Sequence, residues 1–359
     1  MGIQSFGEFA KQHKKKMKNR NHPVLIIAEA GVNHNGDLSN ALKLIDAAAE
    51  AGADFVKFQT FKTELVVSNK AQMAEYQKVN MNQDGSQWDM IKKLEIPLDW
   101  YSHLLQRCNE RGIRFFSTGF DEESVDMLLQ WNPGFIKVPS GEITNLPFLR
   151  FIATKKTPII MSTGMCNMDE VRAAMQVFLD GGLTRDEIMV LHCNTEYPTP
   201  MEDVNLGAML EIEQSLEVSV GYSDHTLGIE APLAAVALGA VCIEKHFTLS
   251  QEMEGPDHVA SLNPAQLKSM VTGIRNVEKM LKGSGKKEPS ASESKNIAIA
   301  RRSIHVTRDL PEGVVIEASD LIALRPGDGI SPMEWDNVVG KRTSCSLEQG
   351  DKLTWQMIQ

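Results

Sequence analysis

Eight short apolar runs recur along the chain, each followed by a longer amphipathic stretch. This rhythm restricts the fold more than any other feature. The runs are VLIIAEAG (24–31), FVKFQTF (55–61), RFFSTGF (114–120), FIKVPSG (135–141), PIIMSTG (158–164), IMVLHCN (188–194), VSVGYSDH (218–225) and VCIEKHFT (241–248). Between them lie segments such as ALKLIDAAAEAGA, WYSHLLQRCNERG, DEVRAAMQVFLDGG and APLAAVALGA, whose apolar residues recur at intervals of three and four. Strands that are apolar almost throughout belong to a parallel sheet covered on both faces. Eight strand–helix units, spaced about 30 residues apart over roughly 250 residues, predict an α/β fold, a closed (β/α)8 TIM barrel. The alternative, an open doubly wound sheet, usually carries a GxGxxG turn after its first strand. Here AEAGVNHNG follows instead.

One interruption stands out. Between Lys62 and Leu98 runs a polar segment that includes VNMNQDGSQWD. It reads as a long functional loop or lid after the second strand, on the face where barrel active sites form. Four regions are expected. Residues 1–22 are a basic segment, a solvated helix or tail rather than a site for an anionic partner. The barrel takes residues 23–281. Residues 282–295, KGSGKKEPSASESK, read as a linker. Residues 296–359 are short strands and turns punctuated by PEG, RPGDG and EQGD. A module of about 60 residues is weakly stable alone, so it should pack on a barrel, its own or a partner's.

Composition narrows the function by exclusion. Lys and Arg number 37 against 47 Asp and Glu, a net charge of −10 that argues against nucleic acid as the main partner. No apolar run approaches the ~20 residues of a membrane span, and the basic start lacks the apolar stretch of a secretory signal. The five cysteines are odd in number and lack CxxC spacing, as expected for reduced core thiols of a cytoplasmic protein.

In a barrel, residues at the C-terminal strand ends face the active site. In strand order these ends offer Glu29, Asn33 and His34; Lys57 and Gln59; Ser117 and Thr118; Lys137, Ser140 and Glu142; Ser162 and Thr163. The later strands offer His192, Asn194, Glu196 and Tyr197; Ser223, Asp224 and His225; and Glu244, Lys245 and His246, followed by Asp257 and His258. Polar groups at every strand end are hard to explain by core packing. Lys57 and Lys137, with the hydroxyls of Thr118, Ser140, Ser162 and Ser223, suit an anionic, phosphate-bearing small molecule. Internal ion pairs of these lysines with Glu29 or Glu244 are the plainer reading. His225 and His246 could hold a labile divalent metal, Mn²⁺ or Mg²⁺, or be two structural histidines.

The strings AEAGVNHNG, VKFQTF, VPSGEITNLP, STGM, LHCNTEYPTP, GYSDHT, EKHFT and GPDH resemble the sialic acid synthase family. The C-terminal ARRSI, PEG and LRPGDGIS resemble the antifreeze-like SAF (β-clip) domain that ends those synthases. The resemblance covers almost the whole chain from about Val24. It implies condensation of phosphoenolpyruvate with an N-acetylated hexosamine and water, giving a nine-carbon 2-keto sugar acid and phosphate. It implies phosphoenolpyruvate contacts at Lys57, Thr118, Lys137, Ser140, Ser162, Asn194 and Ser223, and sugar contacts at Gln59, Glu142, Tyr197 and Asp257. His225 and His246 would bind the metal, Mn²⁺ first, with Mg²⁺ or Co²⁺ as alternatives. Arg325 would reach the N-acyl end of the sugar from the SAF domain of a second copy in a domain-swapped homodimer. Glu29 is the candidate to position or deprotonate water.

N-acetylmannosamine, giving sialic acid, is the first expectation, because that product is the commoner one. The alternative is 2,4-diacetamido-2,4,6-trideoxymannose, giving legionaminic acid, with pseudaminic acid behind it. Two rivals differ in class. One is a Schiff-base aldolase using Lys57 or Lys137. The other is an ice- or carbohydrate-binding protein, suggested by the C-terminal module alone.

Overall fold

Side chains alternate across a strand, so each strand divides its residues between the barrel interior and the helices outside. The computed structural model describes residues 23–81 and 85–359. The basic segment 1–22 lies outside the described residues. The strands are β1 (Leu25–Gly31), β2 (Phe55–Thr60), β3 (Arg114–Gly119), β4 (Ile136–Val138), β5 (Ile159–Ser162), β6 (Ile188–Cys193), β7 (Ser219–Asp224) and β8 (Cys242–His246). They form one sheet in the order β3-β2-β1-β8-β7-β6-β5-β4, and every pairing is parallel. The end strands β3 and β4 stand side by side, which curls the sheet into a barrel. The Phe116 and Phe135 rings span that seam edge-to-face at 4.4 Å.

The interior floor is apolar: Leu25, Ile27, Phe55, Phe116, Phe135, Ile160, Met189, Leu191 and Cys242 form one buried cluster. The outward set, among them Ile26, Ala28, Val56, Phe58, Ile159, Val190 and Ile243, packs against the helices in a larger one. Each such side chain contributes about 1.5–3 kcal/mol when fully buried. The helices start where their sequences supply caps. Asp37 accepts the amides of Ser39 and Asn40 ahead of helix Leu38–Ala51. Asn263 and Gln266 form a capping box ahead of helix Pro264–Met280.

Two expectations need correction. The segment after β2 is not a structureless loop. It contains short helices at Thr63–Val66, Glu75–Met81 and Gln87–Lys92. The expected linker 282–295 is helical at its end: helix Ala291–Ala300 begins there, with Ser290 and Glu293 as its capping box.

The chain divides into two compact units after Lys282. Within the second, β9 (Ser303–Val306) pairs antiparallel with β10 (Leu321–Leu324). Its own core gathers Ile304, Val306, Leu310, Ile316, Ile330, Val338, Leu347 and Leu353. Among the described residues no helix is long and apolar enough to cross a membrane.

Candidate active site

Above the apolar floor, the interior positions of the strands become polar. There a cavity of about 510 Å³ opens at the C-terminal end of the barrel, within the range of small-molecule sites. Its lining includes Glu29, Lys57, Gln59, Thr118, Lys137, Ser140 and Ser162. Tyr197, Ser223, His225, Glu244, His246 and Asp257 extend the polar set, with Thr195 and, from the segment after β2, Gln77 and Gln87. Glu142 and Asn194 do not line it. Glu142 instead accepts a hydrogen bond from Asn145 at 2.6 Å. Asn194 uses its side chain to accept the Glu196 amide at 2.7 Å, while its main-chain carbonyl takes the proton of His225 Nδ1. Arg325 belongs to the second unit, where its Nε donates to the Ala300 carbonyl at 3.0 Å.

The floor of the cavity is a charge network. Lys57 Nζ lies 2.8 Å from Glu29 and 3.6 Å from Glu244, and donates to Thr118 Oγ1 at 3.0 Å. Lys137 Nζ donates to Ser162 Oγ at 2.6 Å and lies 3.8 Å from Glu244. Ser223 Oγ donates to Glu244 at 3.1 Å. The phosphate-site and ion-pair readings are therefore not exclusive, because the lysines are paired in the free chain. Two lysines against two carboxylates make a poised set. Burial pushes Glu29 up to about 7, despite the opposing pull of Lys57. Burial also acts to raise Glu244, but Lys137 and Lys57 outweigh it and hold that carboxyl below its ordinary range. Two carboxyls driven apart in this way divide the roles: one stays an anion and one titrates near neutrality. Lys57 is raised, because Glu244 and Glu29 overcome its burial, whereas burial dominates at Lys137 and lowers it.

The imidazoles of His225 and His246 face each other at 5.2 Å between ring centres. Burial lowers His225 to about 4, and burial followed by the neighbouring His225 lowers His246 far below its usual value. Both rings are thus neutral at pH 7, the form that binds metals. The Asn194 carbonyl fixes the Nδ1–H tautomer of His225, leaving Nε2 as the acceptor, 3.0 Å from Tyr197 Oη. His246 Nδ1 is buried without a hydrogen-bond partner, 3.8 Å from Asp257. Burial raises Asp257 to about 6. An orphaned imidazole nitrogen beside a second that meets only the Tyr197 hydroxyl fits a divalent cation held by two histidines, with other ligands drawn from substrate or water. Among the described residues no group of three His, Cys, Asp or Glu side chains could hold a metal unaided.

Two glycines set the approach to these groups. Gly31, with φ +52°, sits where a Cβ would come within 3.3 Å of Glu29 and 3.4 Å of His246. At Gly164 a Cβ would stand 2.5 Å from Thr195 and 3.0 Å from Ser140 Oγ, to which Gly164 donates its own amide at 2.9 Å.

Several polar strand-end residues serve structure instead. His34 takes the Gly36 amide on Nδ1, at 3.0 Å. Nε2 of His192 bonds the Val204 carbonyl at 2.9 Å. The His258 ring is held between Thr248 and Asn35 at 2.7 and 3.0 Å. Asn33 ties Phe247 and Ser261 together, and Ser117 bonds Thr60. Lys245 and Asp224 form an ion pair at 2.5 Å with no exposure on either side chain.

Two residues of the site escaped the sequence reading. Cys193 lines the cavity with its thiol 3.2 Å from Ser140 Oγ. Asn80, in the segment after β2, donates to the Tyr197 and Pro256 carbonyls at 3.2 and 2.7 Å and fastens that segment to the mouth. Only its neighbours in space mark it out.

Residues 44–287 match the NeuB family, and residues 301–359 match the SAF domain. The chain is 48% identical over 336 residues to N,N'-diacetyllegionaminic acid synthase of Legionella pneumophila, covering 93% of this chain and 94% of the relative. Identity is 50% over 328 residues to N,N'-diacetyllegionaminic acid synthase of Campylobacter jejuni, covering 91% and 98%. Among solved structures, the N-acetylneuraminic acid (sialic acid) synthetase of Leptospira borgpetersenii superposes with a TM-score of 0.66 at 35% identity, over 77% of this chain and 91% of that one. A barrel with this interior, followed by a small β unit and matched at this level over nearly its full length, belongs to the NeuB family and carries a C-terminal SAF domain.

Proposed function

We propose that the protein is a phosphoenolpyruvate-dependent nonulosonic acid synthase whose sugar substrate is 2,4-diacetamido-2,4,6-trideoxymannose and whose product is N,N'-diacetyllegionaminic acid. The two lysines of the floor support the first half of this reading. Lys57 and Lys137, ringed by Thr118, Ser140, Ser162 and Ser223, suit the phosphate and carboxylate of phosphoenolpyruvate. Identity to the two legionaminic acid synthases, 48% and 50%, against 35% to the sialic acid synthetase, supports the second. The sialic acid expectation therefore gives way to its alternative.

C3 of phosphoenolpyruvate forms the new bond to the sugar aldehyde carbon. Water adds at C2, passing its proton toward Glu29, and the C2–O bond to phosphate then breaks. Glu29, poised near neutrality, suits the proton transfer. Lys57 and Lys137 offset the phosphate charge throughout. Gln59, Tyr197 and Asp257 face the sugar. His225 and His246 would hold a divalent cation, Mn²⁺ first, which when bound polarises the aldehyde as a Lewis acid.

Leu65, Met165, Met201 and Leu227 are exposed on segments that follow β2, β5, β6 and β7. Their exposure on the active-site side of the barrel is what supports a homodimer in which the partner subunit's Arg325 reaches the sugar. Use of phosphoenolpyruvate, a metabolite of the cell interior, supports a cytoplasmic location.

The test is a product assay with phosphoenolpyruvate and the mannosamine and diacetamido sugars, with and without chelator. The expected result is a 2-keto acid and phosphate from the trideoxy sugar, lost on chelation and restored by Mn²⁺. No turnover with any sugar would overturn the reading.

A further inference from the structure

Four hydroxyls ring the two lysines, and their bonds orient them differently. Thr118 Oγ1 accepts from Lys57 at 3.0 Å, and Ser162 Oγ accepts from Lys137 at 2.6 Å. Ser223 turns its proton away, donating to Glu244 at 3.1 Å. Ser140 is held by neutral groups instead. Its Oγ accepts the Gly164 amide at 2.9 Å and lies 3.2 Å from Cys193 Sγ. These three residues stand at the ends of neighbouring strands: Ser140 follows β4, Gly164 follows β5 and Cys193 closes β6. They leave no slack. A Cβ at Gly164 would stand 3.0 Å from Ser140 Oγ and 3.1 Å from Cys193 Sγ. Cys193 is buried at 5% exposure, and both it and Ser140 line the cavity.

A hydroxyl oxygen can accept twice and donate once. At Ser140 the Gly164 amide takes one lone pair. Cys193 and Ser140 can share the next proton either way, and the chemistry of the cavity chooses. Burial pushes the Cys193 thiol up, so it keeps its proton at pH 7. If Ser140 donated to sulfur, its proton would go to a weak acceptor. If the thiol donates to Ser140, both lone pairs are filled from behind and the hydroxyl proton is left for the cavity. There it meets an anion, and a hydrogen bond to a charged oxygen is roughly twice as strong as a neutral one. We infer that Cys193 is a positioning residue for phosphoenolpyruvate: its thiol, with the Gly164 amide, fixes Ser140 as a donor to that anion. This inference rests on the proposed synthase reading and adds how one of its anion contacts is aimed, and by which residue.

The test is the dissociation constant of phosphoenolpyruvate, by calorimetry on the full chain with Mn²⁺ and without sugar, alongside KM values from the product assay. Cys193→Ala should weaken phosphoenolpyruvate binding about 3- to 10-fold, the range for one neutral hydrogen bond, and raise its KM alike. The KM for the sugar should stay within about twofold. Cys193→Ser, smaller than the native side chain but still a donor, should bind phosphoenolpyruvate within about twofold of the unaltered enzyme. A packing role would give a different pattern, with serine and alanine falling together. In a Ser140→Ala background, Cys193→Ala should weaken binding by less than about twofold more, since no hydroxyl is left to aim. Cys193→Val fills the space of the sulfur without a donor and takes the place of the alanine variant if that one does not fold. Binding that Cys193→Ala leaves unchanged, or a loss that serine does not restore or that persists without the Ser140 hydroxyl, would overturn the positioning role alone. No phosphoenolpyruvate binding by the unaltered enzyme would overturn the synthase reading, and the inference with it.

Discussion

Glu29 carries the sharpest expectation at the scale of single residues. Its carboxyl is buried at 1% exposure, paired with Lys57 at 2.8 Å, and raised to about 7 by that burial. As a base it must be ionised, so kcat/KM should climb as pH rises through about 7. Glu29→Gln should lower kcat by about 10²- to 10⁴-fold and abolish that climb in the activity that remains. Stability should respond with the opposite sign. A carboxyl raised in the folded state favours folding fully below its unfolded value of 4.5, and this contribution is lost as pH rises toward 7. The unaltered protein should therefore lose roughly 1–3 kcal/mol relative to Glu29→Gln between pH 4.5 and 8, read by urea denaturation at each pH. A variant with unaltered rate would remove Glu29 from the chemistry. The polar identity of such residues was legible in the sequence, because period-two alternation on a buried strand leaves few places for a charge. Their division of labour was not. Nothing local distinguishes His225, which faces the cavity, from His258, which braces a loop; only the partners that folding brings to each ring decide. Asn194 shows the same limit, since its main-chain carbonyl, not its amide, serves the site.

Between elements, the pair Lys245–Asp224 joins β8 to β7 on the side facing the helices, directly behind His246 and His225. Asp224 also accepts the Thr226 amide and hydroxyl, at 3.0 and 3.1 Å, and Lys245 donates to the Thr226 carbonyl. Removing one member leaves a buried charge alone. Lys245→Met should thus destabilise the protein by about 3–5 kcal/mol. Lys245→Met combined with Asp224→Asn should recover part of that loss, because the amide is neutral and can still accept from Thr226. Urea unfolding of both variants checks the pair; a double variant no more stable than the single one would contradict a charge-based penalty. The eight strands were legible because each is a run of apolar residues bounded by turns. The helices between Lys62 and Leu98 were not. They are shorter than the dozen or so residues that sustain a helix alone. Tertiary ties such as Glu95 to Thr63 and Asn80 to Pro256 hold them instead. Helix Ala291–Ala300 was different: its Ser290–Glu293 box was present in the sequence, hidden inside a stretch rich in Ser and Lys.

For the whole molecule, the break between the two compact units falls after Lys282, within residues that sequence composition marks as a linker. From Gly283 to Ser290 every residue is exposed, and Lys286 and Lys287 lie in that stretch. The next helix, Ala291–Ala300, has no buried residue of its own. Native proteolysis follows the free energy of local opening, which is smallest where few apolar side chains anchor the backbone. The segment after β2 is the competing target, since it also carries lysines on short helices. Its Lys92, however, is paired with Glu64 and Glu95, and the Met90 and Leu94 beside it are buried. Within residues 23–359, brief trypsin treatment of the native protein should therefore cut first after Lys282, Lys286 or Lys287, identified by the masses of the fragments. A first cut after Lys62, Lys70 or Lys92 would mean that the wall of the cavity opens more readily than the linker.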